Sequence, residues 1–311
     1  MSTILCSGAA GFIGSSLCDK LIELGHFVVG VDDLSAGFII NINKNITFFQ
    51  RNISENLSDI FEKYKPEYVF NLAAKIDLRH SISHPRENAY TNIDGSLNLI
   101  ELAIKHKVKK FIFASTGGAI YDKQAPLPWV EESLSSSSGS PVGPASPYGL
   151  SKLTIENYLK LMKTLYGLDW VALRFGNVFG PRQHSGECGV LSIFINNILN
   201  NKDLNVFGNG TKTRDYIFVQ DVCSAMVLAM KDDVNGIFNV GSNEQHSLLD
   251  IIDMLKIKFN KDIQVNYKPD VVGEIEHTRL SYDKLNKLTG WRPEVSFSDG
   301  LDKTIEYFKV F

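Results

Sequence analysis

Three glycines at intervals of three constrain this chain most: Gly8, Gly11 and Gly14 in the run Gly8-Ala9-Ala10-Gly11-Phe12-Ile13-Gly14. They sit between an apolar run, Thr3-Ile4-Leu5-Cys6, and a segment of helical period from Ser16 to Leu24. Glycine tolerates a tight turn and lets backbone approach a phosphate, while the start of a helix offers unpaired N–H groups and the positive end of its dipole. The order strand, glycine turn, helix therefore predicts a pyrophosphate cradle formed by Gly8, Gly11, Phe12, Ile13 and Gly14. The spacing is G-x-x-G-x-x-G rather than G-x-G-x-x-G, so the next strand carries the discrimination. That strand, Phe27-Val28-Val29-Gly30-Val31, ends at Asp32-Asp33, about twenty residues beyond the glycines, where a dinucleotide site needs a carboxylate for ribose hydroxyls. A carboxylate there repels a 2′-phosphate, which selects NAD over NADP.

The 311 residues allow one large or two modest domains. A net charge of -3, with both signs mixed along the chain, leaves no electrostatic footprint for nucleic acid or an anionic membrane. Small-molecule partners are expected. Cys6, Cys18, Cys188 and Cys223 show no paired spacing, so reduced thiols and no metal are expected. No apolar run approaches the ~20 residues of a membrane span, and the N-terminus reads directly into a strand. The expected compartment is the cytoplasm.

Short apolar runs at 46–49, 68–72, 111–114 and 170–173 alternate with helix candidates at 57–64, 85–106 and 148–166. This alternation predicts βαβ units: an α/β fold with a doubly wound parallel sheet of Rossmann type. Residues 1–176 are expected to form the cofactor domain, with segments near 215–241 returning to it. Residues 177–311, with a helix near 191–199, are expected to form a smaller α/β substrate domain. The substrate should lie in the crevice beyond the carboxyl ends of the strands. A serine-rich stretch, 133–140, reads as a loop without chemistry of its own.

Tyr148 and Lys152, in Tyr148-Gly149-Leu150-Ser151-Lys152, stand four residues apart on a predicted helix and share a face. A tyrosine of ordinary pKa, about 10, is a poor base at neutral pH. A nearby ammonium and the positive ring of an oxidised nicotinamide favour the phenolate. Upstream, the run Phe111 to Ala114 ends in Ser115-Thr116-Gly117-Gly118-Ala119-Ile120-Tyr121, which sets two hydroxyls at the carboxyl edge of the sheet. Thr116 is the candidate for hydrogen bonding the substrate oxygen, with Ser115 as its competitor.

These segments, with Asn71-Leu72-Ala73-Ala74, Tyr90-Thr91-Asn92, the run from Arg174 to Arg182 and the run from Thr213 to Val219, resemble the extended short-chain dehydrogenase/reductase superfamily. Within it, the chain resembles the NAD-dependent epimerase/dehydratase family, and in particular nucleotide-sugar epimerases of the UDP-glucose 4-epimerase type. The resemblance implies NAD contacts at Asp32, Asp33, Leu34, Ser35, Asn52, Ile53, Leu72, Ala73, Ala74, Lys75, Asn92, Tyr148 and Lys152. It implies that Tyr148 takes the sugar C4 hydroxyl proton as the C4 hydride passes to NAD, and that Asn177 and Arg214 hold the substrate's nucleotide or pyrophosphate. It also implies a homodimer, a UDP-sugar substrate, and a residue beside the sugar C2 substituent at Thr278, whose small size admits an N-acetyl group.

The chain departs from that pattern at Asn52, where relatives carry an aspartate. It departs again at Lys268, which stands near the place of a phosphate-binding arginine. Sugar 4,6-dehydratases carry an acidic pair after the threonine; this chain has Gly117-Gly118, which can neither give nor take a proton. Decarboxylase and 4-ketoreductase chemistry share the same 4-keto intermediate and stay open. A non-catalytic NAD-binding regulator is the reading from another class.

Overall fold

The computed structural model describes residues 1–133, 144, 146–184, 189–270 and 275–310. Alternation within the apolar runs decides the architecture. In β1 (Thr3–Ser7), Ile4 and Cys6 enter one apolar core while Leu5 enters another, so both faces of the strand are covered. The same division runs through β2 (Phe27–Asp32), β4 (Tyr68–Asn71), β5 (Lys110–Thr116) and β6 (Trp170–Phe175), while the edge strand β3 (Thr47–Gln50) packs Phe49 against one core only. These six strands are parallel in the order β6-β5-β4-β1-β2-β3. The expected doubly wound sheet is present.

Helix α1 (Phe12–Glu23) covers one face; α2 (Ser58–Tyr64), α5 (Gly95–Lys105) and α6 (Pro147–Tyr166) cover the other. Between α2 and α5 lie α3 (Leu78–Ser83), α4 (Pro85–Ala89) and a π-helical turn, Tyr90–Asp94. The single helix expected over 85–106 is thus broken by one wide turn, and α3 was not expected at all. Ser146 caps α6, its hydroxyl accepting from the Gly149 N–H at 3.1 Å, with Pro147 in the first turn; Gly167, at φ 73°, ends it.

Beyond β6 the chain makes β7 (Asn177–Phe179), α7 (Val190–Leu199), β8 (Leu204–Phe207), β9 (Thr213–Arg214), β10 (Tyr216–Phe218) and α8 (Val219–Leu228). It then returns as β11 (Gly236–Val240), which pairs parallel with β6 and becomes the seventh strand of the sheet. The last elements are β12 (His246–Ser247), α9 (Leu248–Phe259), β13 (Val265–Lys268), α10 (Asp283–Thr289) and α11 (Phe297–Val310). Three two-stranded pairs stand beyond the main sheet: β7 with β10, β9 with β12, and β8 with β13. One apolar core runs from Ile4 through α1, α7, α8 and α9 to Ile305, so the later segments share a core with the sheet. Residues 134–140 of the serine-rich stretch, Cys188, Gly273 and Glu274 lie outside the described residues.

The order in which the chain adds strands reverses between β1 and β4, the topological switch point of such a sheet. The turn after β1 and the loop after β4 meet there.

Candidate active site

The glycine turn needs its glycines. Gly8 sits at φ +71°, and a Cβ there would lie 2.8 Å from the Ala73 nitrogen. A Cβ on Gly14 would lie 2.0 Å from the Gly8 carbonyl oxygen, so helix and turn can pack this closely only without a side chain. No side chain caps α1 at Gly11, and an anion is the natural partner for the N–H groups at such a helix start. The Ser7 hydroxyl donates to Asn71 Oδ1 at 2.8 Å and accepts from Leu72 N and Ala73 N at 3.2 Å each. That fixes the loop Leu72 to Lys75 beside the turn.

Asp32, at the end of β2, is buried. Its Oδ2 accepts from Ala10 N at 3.0 Å and its Oδ1 from Leu34 N at 2.8 Å, so one carboxylate joins the cradle to the ribose position. Burial pushes its pKa up against the N–H groups of Leu34 and Ala10. At Asp33, burial pushes the same way but is outweighed by the hydroxyl and N–H of Ser35 and the amide of Asn52, which leave the pKa below its ordinary value. Asn52 donates to Asp33 Oδ2 at 2.8 Å, and its own Oδ1 accepts from Ser54 N at 2.9 Å. Asn52 therefore braces the acidic pair, and Ile53 beside it is buried. Glycines that a Cβ would displace, an uncapped helix start and an acid pair at the second strand fit a dinucleotide with an unmodified ribose.

Asn92, inside the π-helical turn, links this cofactor side to the next group. Its Oδ1 accepts from Lys75 N at 2.7 Å, and its Nδ2 donates to Lys75 O and to Ser151 Oγ, each at 3.1 Å. The Ser151 hydroxyl donates to Tyr148 O at 2.7 Å. Wide turns of this kind recur at functional sites because they re-aim one side chain without ending the helix. Tyr148 is half-buried in the first turn of α6, and its N–H donates to Ser81 Oγ of α3 at 3.3 Å.

Lys152, one turn along, is buried. Its ammonium donates to Ala114 O at 2.8 Å and lies 5.9 Å from the centre of the Tyr148 ring. Burial pulls its pKa down to about 7, against the raising effect of Glu156. The strand pleat sends the two candidate hydroxyls to opposite sides. Ser115 is buried and donates to Glu156 Oε1 at 2.6 Å, whereas Thr116 ends β5 half-exposed. A Cβ on the following Gly117 would lie 2.5 Å from Leu280 Cδ1, so a segment from the far end of the chain closes over this loop.

Two of the substrate candidates stand at the β7–β10 pair, Asn177 on β7 and Arg214 just before β10. Asn177 is exposed and stands in register with Tyr216, two residues past Arg214. The Arg214 guanidinium donates to Thr213 O at 2.9 Å and Glu276 O at 3.3 Å. Lys268, at the end of β13, is exposed. Thr278, the expected gate beside the sugar, lies against Asp215, which follows Arg214 and also bonds Leu280. It is only 2% exposed, and its hydroxyl accepts from Asp215 N at 3.1 Å, so it is committed to the backbone of β9–β10.

Several residues were not visible to sequence reasoning. Glu156 and Arg174 form a fully buried bidentate ion pair, Nε to Oε1 at 3.0 Å and Nη2 to Oε2 at 2.6 Å. Arg174 also donates to Tyr121 Oη at 2.9 Å, and Tyr121 to Asn239 Oδ1 at 2.5 Å. His80 and His84, four residues apart on and just after α3, stack ring on ring at 4.2 Å. Among the described residues no three His, Cys, Asp or Glu side chains converge as metal ligands.

A model of the NAD dependent epimerase/dehydratase family matches residues 4–241. The chain is 36% identical over 313 residues to the UDP-glucose 4-epimerase of Mycolicibacterium smegmatis, covering 98% of both. Its structure is similar to that of the Thermotoga maritima UDP-glucose 4-epimerase with UDP-glucose, at a TM-score of 0.95 and 41% identity over 99% of both chains. It is also similar to the UDP-N-acetylglucosamine 4-epimerase of Methanobrevibacter ruminantium in complex with UDP-N-acetylmuramic acid, at a TM-score of 0.92 and 31% identity over 99% of this chain and 98% of that one.

Proposed function

The chain belongs to the NAD dependent epimerase/dehydratase family, and from that premise we propose that it is an NAD-dependent nucleotide-sugar 4-epimerase acting on UDP-glucose and UDP-galactose. UDP-N-acetylhexosamines are included in its range, a reading supported by the likeness to the Methanobrevibacter enzyme. The observation that carries the proposal is Lys152 lying beside the Tyr148 ring and bonded to the Ala114 carbonyl, two residues before Thr116 at the carboxyl edge of β5, next to a cradle that only glycine fits.

Bound NAD supplies a hydride acceptor and donor for the sugar C4. Tyr148 takes the C4 hydroxyl proton and returns it after the 4-keto ring has turned over, which inverts the centre. Lys152, close to the Tyr148 ring, favours the phenolate by its charge and would hold the nicotinamide ribose of bound NAD. Thr116 hydrogen bonds the C4 oxygen; Ser115, spent on Glu156, does not. Asn177 and Arg214 hold the pyrophosphate, for which a forked guanidinium is suited, so that the sugar can turn while its nucleotide stays fixed.

The working form is a homodimer. Leu150, Leu161 and Leu165 are exposed at helical spacing along one face of α6, an apolar stripe that a second copy would cover. The division into a cofactor part, 1–176 with 215–241, and a substrate part from the remainder of 177–311 is supported by the return of β11 to the main sheet. Cytoplasmic residence is supported by the free, buried thiols of Cys6, Cys18 and Cys223.

Incubating the purified protein with UDP-, dTDP- and GDP-sugars and identifying the products tests the reading. Interconversion of UDP-glucose and UDP-galactose is expected. Loss of carbon dioxide or water from a substrate, or no turnover of any UDP-hexose, would overturn it.

A further inference from the structure

Asp215, between β9 and β10, is fully buried, and four neutral donors converge on its carboxylate. Oδ1 accepts from Ser242 N at 2.7 Å and Ser242 Oγ at 2.8 Å; Oδ2 accepts from Leu280 N at 2.9 Å and Asn243 N at 3.2 Å. Its own backbone is engaged as well. The Asp215 carbonyl accepts from Asn177 N at 2.7 Å, and its N–H donates to the Thr278 hydroxyl at 3.1 Å. Two glycines make room for it: a Cβ on Gly176 would lie 2.8 Å from Asp215 O, and one on Gly241 2.7 Å from Asp215 Oδ2.

These bonds join four stretches of chain that are distant in sequence. One carries Asn177, one carries Arg214, one follows β11 at Gly241 to Asn243, and one runs from Thr278 to Leu280, where the leucine covers Gly117 beside Thr116. Burying a carboxylate is costly unless its lone pairs are filled, and bonds to a charged acceptor are shorter and stronger than neutral ones. Only an acceptor-only group satisfies donors on both oxygens; an amide would turn an NH₂ toward one pair of them.

We propose that Asp215 is a positioning residue for the nucleotide end of the substrate, holding the backbone of Asn177 and Arg214 in place and coupling it, through Leu280, to the loop that carries Thr116. This rests on the nucleotide-sugar reading. It assigns Asp215 no contact with substrate.

The test uses the NAD-loaded full chain and UDP as probe. Asp215→Asn should raise the UDP dissociation constant and the KM for UDP-glucose about tenfold to a hundredfold, the range expected for losing a bond to a buried charge. The kcat should change less than about fivefold, and NAD content should be unchanged. Ser242→Ala, which removes the hydroxyl donor to Asp215 Oδ1 and the acceptor for Glu244 N but leaves the Ser242 N–H bond, should weaken UDP binding by roughly threefold to tenfold. On an Arg214→Ala background it should add almost nothing, because the two act in series. Lower melting temperature with unchanged UDP affinity in both variants would show a merely structural role and overturn the proposal. So would full additivity with Arg214→Ala. Failure of the unaltered protein to bind UDP would instead sink the nucleotide-sugar reading itself.

Discussion

The Lys152 ammonium donates to the Ala114 carbonyl at 2.8 Å, which ties the cation beside Tyr148 to the strand that presents Thr116. Lys152 and Thr116 thus share one anchor, and a shift of β5 would move both.

The same burial makes Lys152 a stability sensor. In the folded apoprotein its pKa is pulled down from 10.5 to about 7 by desolvation, whereas the unfolded lysine keeps its proton to the ordinary value. Between those two pH values the unfolded chain binds more protons, so folding stability rises with pH across that window and levels off above it. The expected gain is on the order of 2 kcal/mol between about pH 7 and 9. Thermal melts of the apoprotein would show it, and Lys152→Met should flatten the rise. An equal slope in the variant would refute the assignment.

Thr116→Val and Ser115→Ala should part company. Thr116→Val should keep the melting temperature and lose about 10-fold to 100-fold in kcat, by removing a hydrogen bond to the reacting oxygen. Tyr148→Phe should lose about 10²–10⁴-fold, the range of a positioned acid–base group. Ser115→Ala should keep kcat and lower stability by about 1 kcal/mol, since Glu156 loses one donor but keeps Arg174. A larger kcat loss in Ser115→Ala than in Thr116→Val would reverse the assignment.

That distinction marks where sequence reading stops. The glycine turn, Asp32 and the Tyr148–Lys152 pair are local patterns, so spacing alone carries them. Ser115 and Thr116 are neighbours whose roles depend on the pleat of β5 and on Glu156, 41 residues from Ser115. Arg174 and Asp215 bind partners as far as 53 and 65 residues away in the chain, and no periodicity encodes such a meeting. The bond from Asp215 N to the Thr278 hydroxyl spans 63 residues and is set by packing in the same way.

Asp32 should hold the cofactor preference. Titration of apoprotein should show NAD bound at least about tenfold more tightly than NADP, since a buried carboxylate faces the 2′-phosphate. Asp32→Ala should weaken NAD while narrowing that ratio. Tighter binding of NADP by the unaltered protein would contradict the reading.

In deuterated water, the carbon-bound hydrogens of the sugar should remain unexchanged, because the hydride returns within the site and Gly117-Gly118 offers no acid or base for elimination. Mass spectrometry of the recovered sugar checks this. Deuterium at C5 would indicate dehydratase chemistry.

Leu161→Glu combined with Leu165→Glu should convert a dimer to a monomer in sedimentation, by placing two charges in the apolar stripe of α6. An unaltered protein that sediments as a monomer would remove the homodimer.

The late return of β11 limits how such an enzyme can be made and rebuilt. Until Val240 has left the ribosome, β6 is an open edge, and the buried Arg174 lacks the network completed by Asn239, its register partner on β11. The seven-stranded sheet cannot close before residues 177–235 have been spelled out. A cut at residue 176 therefore leaves β6 without its outer neighbour, and the excursion between β6 and β11 can be exchanged between relatives only while both of its ends stay sewn into the sheet.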